Sequence, residues 1–165
     1  MKGIKYLTAT ICLFVGLQAQ AKGGPWGLGV ILANPTGFSG KYRFSEKNSL
    51  DAALGYSFGR SDNITLHSTY IWEFSESIRL DNVGISHYFG VGGTFYSRNR
   101  NDPPPFWADN RADDTLALAA RGLAGLNYYF NDPAIEVFAE LALNFFFVPS
   151  THVDLGLAIG GRYYF

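Results

Sequence analysis

From Trp26 to Phe165, apolar and polar residues alternate with a period of two over most of the chain. Successive side chains of a strand point to opposite faces, so this pattern predicts strands with two unlike faces. Eight segments carry it: Trp26–Leu32, Phe38–Phe44, Ser49–Phe58, Ile64–Phe74, Ile85–Tyr96, Thr115–Phe130, Ala134–Phe145 and Val153–Phe165. Turn-forming residues separate them, among them Asn34-Pro35-Thr36-Gly37, Ser45-Glu46-Lys47-Asn48, Ser61-Asp62-Asn63 and Asn131-Asp132-Pro133. Every proline lies outside the segments, as a hydrogen-bonded ladder requires.

One face is large and apolar. In the last segment Leu155, Leu157, Ile159, Tyr163 and Phe165 oppose Asp154, Gly156, Ala158, Gly160, Arg162 and Tyr164. In the seventh, Ile135, Val137, Ala139, Leu141 and Leu143 oppose Glu136, Phe138, Glu140, Ala142 and Asn144. A soluble sandwich would alternate in the same way, so the placement of the apolar-face aromatics matters. If the strands run up and down, Trp26, Tyr42, Phe44, Trp72, Phe74, Tyr128, Phe130, Tyr163 and Phe165 gather at one end. Phe38, Tyr56, Phe58, Phe95 and Phe145 gather at the other, with an aliphatic, Ala or Gly band expected between. Two aromatic girdles around an apolar band mark a transmembrane β-barrel, whereas a sandwich core has no reason to sort aromatics by strand end. The loops carry the matching asymmetry: short turns at Ser45–Asn48 and Asn131–Pro133 on one side, the long Ser97–Asp114 connection on the other. Ser75–Asn82 is long for the short-turn side, and Ile78 and Leu80 are expected to extend a strand into it. The second segment is short for a crossing strand and is expected to run on into its flanking turns.

The N-terminus supplies the compartment. Lys2 and Lys5 precede an apolar run, Tyr6–Leu17, and an Ala19-Gln20-Ala21 cleavage pattern. That order is a secretory signal peptide, too short to span as a helix, so residues 1–21 are expected to be removed and 22–165 to form one barrel domain. Cys12, the single cysteine, lies inside the leader, which leaves the barrel without a disulfide or a thiolate ligand.

Composition fits. Of 165 residues, 16% are charged and 16% aromatic, with 19 glycines. The net charge of −1 gives nucleic acid no basic face to bind. Eight strands leave a lumen that side chains can fill. Lys41, Arg43, Arg121 and Arg162 are expected inside it against Asp51, Glu73, Glu136, Glu140 and Asp154. Because an unpaired buried charge is costly, the expected arrangement is an ion-pair network that plugs the barrel; a narrow polar pore is the alternative. Gly27, Gly29, Gly55, Gly90, Gly92, Gly125, Gly156 and Gly160 share the inward face and make room for long neighbours. Gly90-Val91-Gly92-Gly93 has no following helix and is a poor phosphate cradle.

Catalytic chemistry has little to stand on. His67, His87 and His152 show no zinc-ligand spacing, so neither a metal site nor a cofactor is expected. His67 points inward, where Thr65 could partner it. His152 with Ser150 in the last outer loop, and His87 with Ser86, are the candidates for a lipid-modifying enzyme; the second pair points to opposite faces. The expectation is a non-enzyme.

The final run, Asp154-Leu155-Gly156-Leu157-Ala158-Ile159-Gly160-Gly161-Arg162-Tyr163-Tyr164-Phe165, resembles the C-terminal signature of outer-membrane barrels, in which Tyr163 and Phe165 would be read by the barrel-assembly machinery. The plan of residues 22–165 is similar to the small eight-stranded barrels of the OmpA transmembrane-domain and OmpX class. Leu28–Leu32, Asn34–Tyr42, Leu50–Ser57 and Ile135–Glu140 resemble a further group of bacterial outer-membrane barrels with no assigned activity. The resemblance implies a barrel in outer-membrane lipid and lipopolysaccharide. The functional expectation is a structural or surface-interaction protein. Its contact surface would be the outer loop 97–114, where Arg98, Arg100, Phe106, Trp107 and Arg111 could meet lipopolysaccharide phosphates or an extracellular ligand. A closed barrel has no free edge, so a monomer is expected.

Overall fold

The computed structural model describes residues 23–33, 35–57, 63–80, 83–98, 116–149 and 151–165. Eight strands follow in order: β1 (Trp26–Ala33), β2 (Gly37–Arg43), β3 (Asn48–Ser57), β4 (Asn63–Leu80), β5 (Val83–Arg98), β6 (Leu116–Asn131), β7 (Ala134–Val148) and β8 (His152–Tyr164). Each pairs antiparallel with the next and β8 returns to β1, so the sheet is a closed barrel. Closure satisfies the backbone groups that an open edge would leave unpaired. The leader, residues 1–21, lies outside the described residues.

The alternation places the side chains inside out relative to a soluble core. On β8, Leu155, Leu157 and Ile159 are 61%, 65% and 58% exposed, while Gly156 and Ala158 between them are buried. On β7, Val137, Leu141, Leu143 and Phe145 face outward, and Glu136, Phe138, Glu140 and Asn144 are buried. The outward aromatics at the end that carries both termini pack against one another in tilted and T-shaped pairs. Trp26 meets Tyr42 with ring centroids 4.5 Å apart, Tyr42 meets Phe44 at 5.1 Å, and Tyr128 meets Phe130 at 4.7 Å. Tyr70 and Phe89 join this girdle: Tyr70 stacks on Phe44 at 6.2 Å, and Phe89 meets Phe74 at 6.2 Å. The girdle therefore includes two aromatics beyond those expected from the sequence.

Two strand ends differ from expectation. β2 stays at seven residues and stops at Arg43, because the Phe44 and Ser45 N–H groups already donate to the Asn48 carbonyl, at 2.9 and 3.2 Å, and close the turn. In contrast, β4 runs on to Leu80 and β5 begins at Val83, so most of the expected Ser75–Asn82 connection is strand. The register slips between Phe74 and Ile78, and the ladder resumes with Ile78 opposite Ile85. That irregularity, placed in a polar Ser-Glu-Ser stretch, hides the strand from a period-two reading. Beyond Trp72 and Ser86 the hairpin has outrun the ladders to β3 and β6.

The interior is not only small and charged. Ile31, Ala53, Phe138 and Ala158 form one buried apolar cluster, Ile71, Tyr88 and Leu123 a second, and Ala117, Ala119 and Phe146 a third. These apolar clusters lie among the buried charged residues of the interior.

Candidate functional site

The polar interior is layered along the barrel axis. The layer nearest the termini centres on Glu136, fully buried on β7. Its Oε1 accepts from Lys41 Nζ at 2.8 Å, Asn127 Nδ2 at 2.8 Å and Tyr129 OH at 3.2 Å. Its Oε2 accepts from Tyr164 OH at 2.7 Å and Arg162 Nη1 at 3.3 Å. Five donors from three strands, β2, β6 and β8, thus converge on one carboxylate. Lys41 Nζ also donates to Glu73 Oε2 at 3.1 Å, and the single Tyr129 hydroxyl proton is shared between that oxygen, at 3.1 Å, and Glu136. These contacts tie β2, β4, β6, β7 and β8 across the lumen rather than along the sheet.

Arg162 carries the network to the next layer. Its Nε donates to Ser39 Oγ at 2.8 Å and its Nη2 pairs closely with Asp51, while its guanidinium lies over the Phe138 ring at 3.9 Å. Glu140 receives Tyr88 OH at 3.0 Å and faces Arg121 Nη2 at 3.5 Å. Arg121 Nη1 and Thr94 Oγ1 both donate to Asn144 Oδ1, at 3.4 and 3.0 Å. Here satisfaction is less complete: among the described residues Asp51 Oδ1, both His67 ring nitrogens, Thr69 Oγ1, Arg121 Nε and Glu140 Oε2 lack a hydrogen bond.

The structure brings Lys41, Asp51, Glu73, Arg121, Glu136, Glu140 and Arg162 into ion-pair distance of opposite charges. Arg43 and Asp154 stand apart from this network, contrary to expectation. Arg43 lies on the Tyr164 ring, 3.8 Å from its centroid, and 5.0 Å from that of Tyr129, with no carboxylate partner among the described residues. It sits at the last residue of β2, one layer below Glu136, and the two tyrosines come between them. Asp154 is half-buried opposite Asn144, likewise without an ion pair among the described residues. Strand parity foretold both inward positions; partner choice across the lumen depends on stagger, which parity does not carry.

Each histidine has a definite neighbour. His67 Nε2 lies 3.6 Å from Asp51 Oδ1, so the acid on β3 takes the place expected for Thr65. His87 stacks on Phe74 at 5.0 Å on the outer face, with buried Ser86 on the opposite side of the wall. His152 begins β8 and stacks on Phe146 at 4.4 Å rather than lying in a loop; Ser150 is outside the described residues. No cluster of three metal-ligating side chains occurs among the described residues. Of the proposed surface contact, Arg98 ends β5 opposite Asn63, while Arg100, Phe106, Trp107 and Arg111 lie outside the described residues. Tyr163 sits in register between Leu28 and Ile135, and Phe165 N donates to Trp26 O at 3.1 Å, so the C-terminal residues close the β1–β8 seam.

Gly125 shows how the sequence leaves room for this chemistry. A Cβ there would overlap the ring of Tyr88, which is buried and held by Glu140. Gly160 stands in the same relation to the Phe138 ring.

No family model matches the chain, and no curated protein matches it. In fold it is similar to the N-terminal β-barrel domain of Pseudomonas aeruginosa OprF, known from its crystal structure, with a TM-score of 0.59. The two share 16% identity over 87% of this chain and 99% of that one. The likeness is one of architecture: a closed, all-antiparallel barrel of eight strands.

Proposed function

We propose that the chain is an integral barrel of a bacterial outer membrane whose lumen is plugged by its own ion pairs, and that it serves as a structural or surface-interaction protein. The observation that carries this reading is the inverted distribution of side chains. Apolar residues cover the outer wall of all eight strands, while Lys41, Asp51, Glu136 and Arg162 are almost wholly buried inside. A wall of that kind is costly in water and favourable in lipid, where backbone groups must be satisfied within the sheet. In this reading the leader 1–21 directs export, Tyr163 and Phe165 address the barrel-assembly machinery, and the barrel stands as a monomer among lipid and lipopolysaccharide. The termini face the periplasm, and the 97–114 connection faces outward as the contact surface for an extracellular ligand.

The test is single-channel recording of the refolded chain 22–165 in planar bilayers at neutral pH and high salt. A silent membrane is the expected result. Discrete conductance steps, altered in Glu140→Gln or Arg121→Gln, would replace the plug with a small pore. The pore reading has one observation in its favour, the incompletely bonded polar atoms around Asp51, His67 and Arg121.

A further inference from the structure

The mouth of the barrel at the terminal end holds a cavity of about 540 Å³, lined by Arg43, the cation left out of the ion-pair plug, and by Tyr129 and Tyr164, whose hydroxyls reach into that plug. Tyr129 and Tyr164 form its floor, with ring centroids 5.9 Å apart and planes inclined at 64°. Both hydroxyls bond inward to Glu136, which anchors the two rings at the cavity. Arg43 lies on that floor, its guanidinium 3.8 Å from the Tyr164 centroid. A guanidinium stacked on a ring keeps its in-plane N–H donors free for a third group. The carboxylates deeper in the lumen do not occupy it. Glu136 is already matched by Lys41 and Arg162, Glu73 by Lys41, Asp51 by Arg162 and Glu140 by Arg121.

We propose that this mouth is a binding site for a small organic carboxylate, held by the Arg43 guanidinium with its apolar body against the Tyr129–Tyr164 floor. The planar fork of an arginine matches a carboxylate with two parallel hydrogen bonds. The cavity exceeds what a bare inorganic ion would fill, and the aromatic floor offers the remainder to carbon. Asp132, on the β6–β7 turn, shares the same cavity and disfavours a doubly charged phosphate. The site depends on side chains at the mouth and stands whether or not the lumen conducts.

The folded chain 22–165 in maltoside micelles, labelled with ¹⁵N, is titrated with benzoate, acetate and inorganic phosphate while the Arg43 Nε–H signal is followed. Benzoate should move that signal saturably, acetate should bind more weakly for want of an apolar body, and phosphate should bind more weakly still. Arg43→Gln should weaken benzoate binding at least tenfold. Arg43→Lys, which keeps the charge and loses the fork, should give an intermediate loss, and serves if the glutamine variant fails to fold. A static Arg43 signal would overturn the proposal, as would unchanged benzoate affinity in the variants. Phosphate binding tighter than benzoate would overturn the carboxylate assignment.

Discussion

Glu136→Gln is the sharpest perturbation of the plug. The substitution keeps shape and removes one charge, and the five donors around Glu136 define what it costs. An amide offers one oxygen and one NH₂ where the carboxylate offered two acceptors. If the oxygen stays toward Lys41, Asn127 and Tyr129, the NH₂ confronts Arg162 Nη1 and Tyr164 OH, formerly 3.3 and 2.7 Å from Oε2. If it is reversed, the NH₂ confronts Lys41 Nζ and Asn127 Nδ2, both formerly at 2.8 Å. A tyrosine hydroxyl can rotate to accept, but an ammonium, a guanidinium or an amide NH₂ cannot. Lys41 and Arg162 therefore both lose a charged partner, and one of the two loses its acceptor as well in either orientation. Removing one member of a buried pair costs about 3–5 kcal/mol. Lys41 keeps Glu73 and Arg162 keeps Asp51, which places the expected loss at the lower end, about 3 kcal/mol. The assay is reversible urea unfolding in lipid vesicles, followed by tryptophan fluorescence. A double-mutant cycle with Lys41→Met isolates the pair, and a coupling of about 1 kcal/mol or more is expected. A variant within about 0.5 kcal/mol of the parent, or a cycle with no coupling, would refute the claim that Glu136 organises the lumen.

Three further outcomes follow from the same geometry. Gly125→Ala should destabilise the barrel by about 1–3 kcal/mol in the same unfolding assay, because Tyr88 cannot yield without breaking its bond to Glu140; Gly122→Ala, with its nearest atom 4.0 Å away, is the neutral control, and equal effects at the two positions would sink the argument. Leu141→Arg on the outer wall should cost about 2–4 kcal/mol in vesicles if that wall meets lipid, and a neutral effect there would contradict the membrane reading. Deleting residues 99–110 should leave the barrel assembled, with the usual heat-dependent shift in gel mobility, and should abolish surface binding to lipopolysaccharide or cells; binding that survives the deletion would exonerate the loop.

Much of the fold could be read from one rule. Alternation places Glu136 and Glu140 inward and Val137 and Leu141 outward without any three-dimensional information, because parity is a property of a single strand. Pairing partners are another matter. Lys41 on β2 meets Glu136 on β7, 95 positions away and across the lumen, a contact fixed by the stagger of eight strands acting together. Charge counting assigns Arg43 to the acids for the same reason; only the positions of the Tyr129 and Tyr164 rings reveal it as a stacked cation. At the β4–β5 hairpin the signal failed locally, where the register slip over Ser75–Ser77 broke the period that identified the strand on either side.

The strands of this barrel differ widely in length. β1, β2 and β3 have 8, 7 and 10 residues, whereas β4 through β7 have 18, 16, 16 and 15. At about 3.3 Å per residue and a tilt of about 40°, β2 rises about 18 Å along the axis and β4 about 45 Å. An apolar band about 25 Å tall fits the second and overshoots the first. A bilayer around such a cylinder meets a low sill on one flank and a high one on the other. Lipids beside β1–β3 must shorten, or the whole cylinder must lean toward that flank, at fractions of a kcal/mol for each ångström of mismatch. Oriented-bilayer infrared dichroism would read the lean directly. The protein would then have a front and a back in the membrane plane, and the thinned lipid on its low side would be the direction from which neighbours are drawn.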